Sequence, residues 1–363
     1  MRKILLLCVT SQGVVNFRAS LIKSLQEKGY AVSVVAFDEE YKREILDLGI
    51  DFYSLQDQNR SVNPLKILSL KSRYKKIIKK VNPDKVFTFM LKPNVFGAKA
   101  AKAAGVQDVY SMVEGVGDAF IRNSTKWKLI RFVVCKLYKS AFKKVNKVFF
   151  LNPDDRKEFI SRKLVKEEKC EIINGVGVDV EKFSFKPIKN YNVFLMVARM
   201  LETKGIYEYI NAARIVKKKY PGAIFNYLGG EGTVKINDIK EYIDDGSINY
   251  LGTTKDVRPY LEDCSVLVLP SHREGMPMSI MEAEAVGRPI IASNRTGCKH
   301  TVFEGENGFL IDQSDCVALA NKMIYLLENK EEIQRFGANS RKIAEEKFNQ
   351  SVINKKIIEI IGR

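Results

Sequence analysis

One stretch limits the fold more than any other: residues 264–289, CSVLVLPSHREGMPMSIMEAEAVGRP. Its apolar run Val266–Leu269 is too short for a helix, and rich enough in valine for a buried strand. Pro270 and Ser271 end the strand. Glu274, Gly275, Met276 and Pro277 form a loop, and a helical pattern runs on to Val286. Pro277 suits the first helical position. Gly287 suits a C-terminal cap, with Pro289 behind it. A strand, a tight loop and a helix start in this order belong to an α/β fold, and in an open parallel sheet ligands gather at such strand ends.

The same unit recurs along the chain. Strands are expected at 3–9, 32–37, 86–90, 109–113 and 145–151 in the first half. In the second half they are expected at 193–197, 224–228, 248–251 and 290–293, with helical patterns between them. A length of 363 residues favours two similar domains. Residues 174–179 have turn chemistry and 183–189 look like a linker. The expected division is therefore 1–183, 184–346 and a terminal helical segment, 347–363.

Composition removes several classes. The six cysteines, at 8, 135, 170, 264, 298 and 316, form no C-x-x-C pair, so they read as free thiols of a reducing compartment. With only His272 and His300, a histidine-rich metal centre is excluded. The opening MRKILLLCVT reads as a first strand, not a signal peptide. No apolar stretch approaches the roughly 20 residues that span a bilayer. The chain is expected in the cytoplasm, on the inner face of the membrane. A nicotinamide site is poorly supported, because Thr10–Asn16 after the first strand is not G-x-G-x-x-G. Gly13 there would still let a backbone approach a phosphate.

Charge is uneven. Residues 1–186 hold 36 Lys and Arg against 20 Asp and Glu, a net of +16, whereas the remainder is nearly neutral. The first half should face an anionic partner. No recognised nucleic-acid motif is present, so an anionic membrane is the expected partner, worth about 1 kcal/mol per Lys or Arg near anionic lipid. Basic runs at 71–80 and 126–147 carry this charge. In the second, Trp127, Ile130, Val134, Leu137, Tyr138, Ala141 and Val145 recur at helical spacing and read as a core-facing stripe. Lys128 and its neighbours fill the positions between.

Several residues at strand ends suit a ligand with both phosphate and hydroxyl groups, which points to a nucleotide-sugar. The loop before the 277–286 helix presents the positive end of a helix dipole. Glu274 and Glu282 are acceptors for hydroxyls. Arg199 and Lys204, in the loop ARMLETKG after the strand at 193–197, suit a diphosphate. In the first half, Lys92 and Asn94 follow one strand and Glu114, in VEGVG, follows another.

These residues together resemble the retaining glycosyltransferases of family 4, of GT-B architecture: two Rossmann-like doubly wound domains facing a central cleft. The resemblance rests on E-x7-E at Glu274 and Glu282, R-x4-K at Arg199 and Lys204, Asn174-Gly-Val, and GENGFLI at 305–311. It covers essentially the whole chain. NFR at 16–18, the loop from Lys92 to Asn94 and VEGVG at 113–117 resemble the branch that extends undecaprenyl-diphosphate-linked sugars. That branch includes α-1,3-N-acetylgalactosaminyltransferases, and capsular polysaccharide transferases look similar. The resemblance implies that Glu274 binds donor-sugar hydroxyls beside the amides of Gly275 and Met276, and that Glu282 accepts from the ribose. It implies that Arg199 and Lys204 hold the diphosphate of a leaving UDP, with the Gly13 amide near the same phosphates. Leu251 and Val257 would flank the uracil. Many relatives have a histidine where Glu114 falls; Glu114 is counted with Glu274, Arg199 and Lys204 among the catalytic residues, as a carboxylate beside the reacting sugar or serving the acceptor. Lys92, Asn94, Trp127 and Lys128 are expected on the acceptor and membrane face. The donor would be a UDP-sugar, best UDP-N-acetylgalactosamine, and the acceptor a polyprenyl-diphosphate sugar. No Asp-x-Asp lies at a suitable site, so neither metal nor cofactor is expected. A capsular transferase using another UDP-sugar and, more remotely, a nucleotide-sugar epimerase are the alternatives. The terminal helix is expected to cross back to the first domain.

Overall fold

The computed structural model describes residues 1–56, 64–122 and 124–362, and the side chains of all these except 64–68 and 118. The chain divides into two compact units. One comprises Met1–Val176 with Ile353–Arg363, the other Gly177–Val352.

The first unit runs β1 (Arg2–Leu7), α1 (Ser11–Glu27), β2 (Tyr30–Ala36), α2 (Lys42–Leu46), β3 (Asp51–Ser54), α3 (Pro64–Val81), β4 (Lys85–Phe89), α4 (Ala98–Ala103), β5 (Asp108–Val113), α5 (Asp118–Ile121), α6 (Thr125–Phe142), β6 (Lys147–Phe150), α7 (Pro153–Ser161) and β7 (Cys170–Ile172). All seven strands are parallel, in the order β3-β2-β1-β4-β5-β6-β7. Strands β1 and β4 to β6 are buried on both faces, as a doubly covered sheet requires. On one face Phe159 sits in an aromatic cluster with Phe120, Tyr138, Phe142 and Phe150.

The second unit runs β8 (Val193–Val197), α8 (Ile206–Lys219), β9 (Ile224–Leu228), α9 (Lys240–Asp244), β10 (Asn249–Tyr250), α10 (Arg258–Asp263), β11 (Val266–Leu269), α11 (Met278–Val286), β12 (Ile290–Ser293), β13 (Gly308–Ile311), α12 (Cys316–Glu328) and α13 (Lys330–Ile343). Its six strands are parallel, in the order β10-β9-β8-β11-β12-β13. The last helix, α14 (Gln350–Gly362), starts in this unit and ends in the first. There the Asn354 amide donates to Ser20 Oγ at 2.8 Å, and the Tyr110 hydroxyl donates to Ile361 O.

Several expectations change. The second unit begins at Gly177 and not at 184, because the turn after it is tied to α13. The Arg341 guanidinium donates to Val180 O, Phe183 O and Ala285 O at 2.7–3.0 Å. Three strands escaped the sequence reading: β3, β7 and β13. Each is a short edge strand of its sheet with little apolar periodicity. Four cysteines are buried, whereas Cys135 and Cys316 are partly exposed.

Candidate active site

Both sheets have a switch point, where the chain leaves one strand in opposite directions. Parallel strands put all their carboxyl ends on one edge, and the crevice opens between the loops at that point. In the second unit the switch lies between β8 and β11. The loop after β8 carries R-x4-K, and the loop after β11 together with α11 carries E-x7-E.

These two loops are bonded to each other. Lys204 Nζ lies 2.5 Å from Glu274 Oε1, with both side chains mostly buried. The Thr203 carbonyl accepts from the His272 amide at 2.9 Å and from Ser271 Oγ at 3.1 Å. Two glycines allow this closeness. Gly205 has φ +79°, and a Cβ there would lie 2.4 Å from Pro270 O. Gly297 has φ +89°, and a Cβ there would lie 2.5 Å from Glu274 O. The Glu274 amide in turn donates to Thr296 O at 2.9 Å. The acid is therefore seated on the loop after β12 as well as on Lys204.

Arg199 lies exposed at the end of β8, on the same loop as Lys204. Pro277 is not the first helical residue but the cap before it, with ψ 117°, and α11 starts at Met278 with no side-chain cap. The first amides of α11 thus present an uncapped positive end beyond the Glu274 loop. Glu282 stands one turn in and is partly buried. Burial pushes its carboxyl up to about 7, with Lys182 pulling it back only in part. Gly275 and Met276 bridge Glu274 to Pro277, and the Met276 side chain is buried. Leu251 extends β10 by donating to Tyr227 O at 2.8 Å, and Val257 caps α10. Both therefore lie on the same sheet edge as Glu274. GENGFLI is a structural device. Asn307 donates to buried Glu284 at 2.8 Å and accepts from the Phe303 amide, while a Cβ at Gly308 would strike Ile290 O.

In the first unit the switch lies between β1 and β4. Residues 11–16 are not a loop but the opening of α1. The Gly13 amide donates to Thr10 Oγ1 at 3.1 Å, which caps that helix. Gly13 allows close approach, but its own donor is taken. Asn94 does not line an open loop either. It is fully buried in a wide helical turn, Pro93–Gly97, donating to Met112 O at 2.8 Å and accepting from Thr88 Oγ1 at 2.7 Å. Lys92, one residue before that turn, places its ammonium over the Phe37 ring.

Glu114 directly follows β5 and pairs with Arg18. Arg18 is almost wholly buried, with its guanidinium 4.3 Å from the Phe89 ring centre, and burial lowers its pKa to about 10. NFR marked this arginine in the sequence without assigning it a task, since its partner lies 96 positions away. Trp127 is half-buried beneath Arg122, and Lys128 is exposed. Val134, Tyr138 and Ala141 do face the core.

Two doubly wound units, with a lysine and an acid joined at a switch point, define a GT-B glycosyltransferase. The chain belongs to family 4 of these enzymes. The pattern of the family "Glycosyl transferases group 1" matches residues 178–343, and that of "Glycosyl transferase 4-like" matches residues 3–152. The chain is 30% identical to the N,N'-diacetylbacillosaminyl-diphospho-undecaprenol alpha-1,3-N-acetylgalactosaminyltransferase of Campylobacter jejuni, over 96% of each protein. It is 29% identical to the UDP-Gal:alpha-D-GlcNAc-diphosphoundecaprenol alpha-1,3-galactosyltransferase of Escherichia coli, over 88% of this chain and 85% of that one. In fold it is similar to Anabaena Alr3699/HepE, solved in complex with UDP and glucose, with a TM-score of 0.82 at 19% identity over 100% of both chains.

Proposed function

We propose that this glycosyltransferase moves an N-acetylhexosamine, N-acetylgalactosamine foremost, from its UDP conjugate to a sugar on undecaprenyl diphosphate. The product keeps the α configuration of the donor. The observation that carries the reading is the 2.5 Å contact of Lys204 with Glu274 at the β8–β11 switch point. Its support is the 30% identity, over 96% of both chains, to an enzyme named as an N-acetylgalactosaminyltransferase of a diphospho-undecaprenol-linked sugar. The relative named as a galactosyltransferase makes UDP-galactose the first competitor.

The chemistry follows from charge. As the anomeric C–O bond to the β-phosphate breaks, negative charge develops on UDP. Lys204 has three N–H donors, so it can bond Glu274 and still face a phosphate. Arg199 adds a second cation, and the α11 amides add a dipole. Glu274 Oε2 and the loop amides orient the sugar hydroxyls. The acceptor hydroxyl attacks the anomeric carbon from the face that UDP leaves, and its proton passes to the departing phosphate oxygen. Glu114, held by Arg18, belongs to the acceptor side, with Lys92 beyond it. Leu251 and Val257 border the uracil, and Gly13, in the first unit, leaves room for a phosphate at the start of α1.

A panel of UDP-sugars against a polyprenyl-diphosphate sugar, read as UDP release, tests the reading. UDP-N-acetylgalactosamine should turn over fastest, and only with acceptor present. Donor conversion without acceptor would overturn it. Excess chelator is expected to leave the rate unchanged, and a rate abolished by chelation would refute metal-free transfer.

Glu282 gives a pH test. Its folded pKa of about 7 exceeds the unfolded value of about 4.3, so the folded chain holds the proton between those values. Its contribution to stability therefore declines as pH rises through that window and is level above it. Ribose hydroxyls donate to the ionised form. The donor KM should fall from pH 6 to pH 8, and Glu282→Gln should flatten that profile at a high KM. A profile unchanged by the substitution would remove Glu282 from the donor site.

A further inference from the structure

Helix α6 has two apolar faces. Val134, Tyr138, Ala141 and Phe142 are buried against the sheet of the first unit. Leu129, Phe132 and Val133 lie on the opposite side and are 65%, 55% and 48% exposed in the whole chain. Their i, i+3, i+4 spacing makes them one stripe. Lys136 continues it, its ammonium 4.3 Å from the Phe132 ring centre. Around the stripe stand Lys126, Lys128 and Lys139, and α6 contains no acid. The basic border continues past the helix. Lys139, Lys143, Lys163, Lys166 and Lys169, outnumbering Glu167 and Glu168, rim a groove of about 580 Å³ floored by Phe142 and Leu164.

A core helix needs only one apolar face. Leaving a second one in water is unfavourable unless something covers it. The cover must be apolar at its centre and anionic around it. A second copy of α6 fails this test, because it would bring four cations against four. Nucleic acid satisfies the cations but leaves the aliphatic stripe against phosphate and sugar. The headgroup–acyl boundary of an anionic bilayer satisfies both, as for other basic amphipathic helices that lie in the interface. Among the described residues no helix is long and apolar enough to cross a membrane, so attachment would be along a surface.

We infer that the outer face of α6 is a membrane-insertion surface, with Leu129, Phe132 and Val133 seated among acyl chains and the surrounding lysines among anionic headgroups. The inference deepens the proposed function and rests on it for its purpose, since it brings the first unit onto the lipid that carries the acceptor.

The test is flotation of the full chain with vesicles of equal phosphatidylglycerol and phosphatidylcholine at physiological salt. The wild type should float. The triple variant L129S/F132S/V133S should partition at least about tenfold more weakly while remaining folded by circular dichroism. K126Q/K136Q/K139Q should also weaken binding, about fivefold per lysine, and should lose most of the salt dependence. The triple serine variant should retain wild-type turnover on a short-chain, water-soluble acceptor and lose it on acceptor embedded in vesicles. Equal flotation of wild type and triple variant would overturn the inference. So would a wild-type dimer that the triple variant converts to monomer. Vesicle binding that obeys these rules without any sugar transfer would instead sink the proposed function and leave the surface standing.

Discussion

Glu274→Ala is expected to lower kcat/KM by about two to three orders of magnitude in a chain that remains folded. That is the usual cost of removing one preorganised polar group from a transition state. Lys204→Ala should cost a similar amount. The two losses should not add, because the side chains are joined at 2.5 Å and each orients the other. The double variant is therefore expected within about tenfold of the worse single one. Steady-state kinetics on all four proteins closes this cycle. Fully additive losses would show that the two residues act on separate parts of the ligand, and wild-type turnover in Glu274→Ala would remove the central assignment.

Arg288→Met should give the largest loss of stability. Arg288 is fully buried between α11 and β12. Its guanidinium donates to Leu261 O at 2.8 Å and Glu262 O at 2.9 Å, carbonyls in the last turn of α10, and to Lys186 O at 2.6 Å. A cation at a helix C-terminus satisfies carbonyls that the helix itself cannot, and it opposes the dipole. Methionine fills much of the volume but leaves three acceptors without that donor. At about 1–3 kcal/mol for each stranded group, partly relieved by water, a loss of about 3–5 kcal/mol is expected. The thermal transition of the second unit should fall by about 10 °C. A fall of less than about 2 °C would mean that water replaces the guanidinium.

The sequence carried the α/β class and the doubling of the unit, and it marked the loops after β8 and β11, because these depend on local signals. Val266–Leu269 is a β-branched run bounded by proline, and Gly287 caps α11 at φ +87° as its position indicated. Signals failed where a residue's bonding partner cannot be read from residue type alone. Gly13 reads as a free phosphate donor until Thr10 is seen to accept its amide. Asn94 reads as a loop residue, yet Thr88 and Met112 hold it inside the sheet's cover. The inner stripe of α6 was legible from its period. The outer stripe was not, because Leu129, Phe132 and Val133 look like any other apolar residues of a helix until the sheet takes the opposite face.

The order of residues along the chain settled which side chains are present and which strand end each one follows, since a parallel strand delivers its loop to one edge whatever lies beside it. Tertiary structure decided which loops become neighbours. Only the strand order β9-β8-β11-β12 sets Lys204 against Glu274, across 70 positions of sequence, and places Gly297 beneath the acid. Pairing energies between strands depend on contacts that no local run of residues encodes, so this meeting appears only once the sheet is formed.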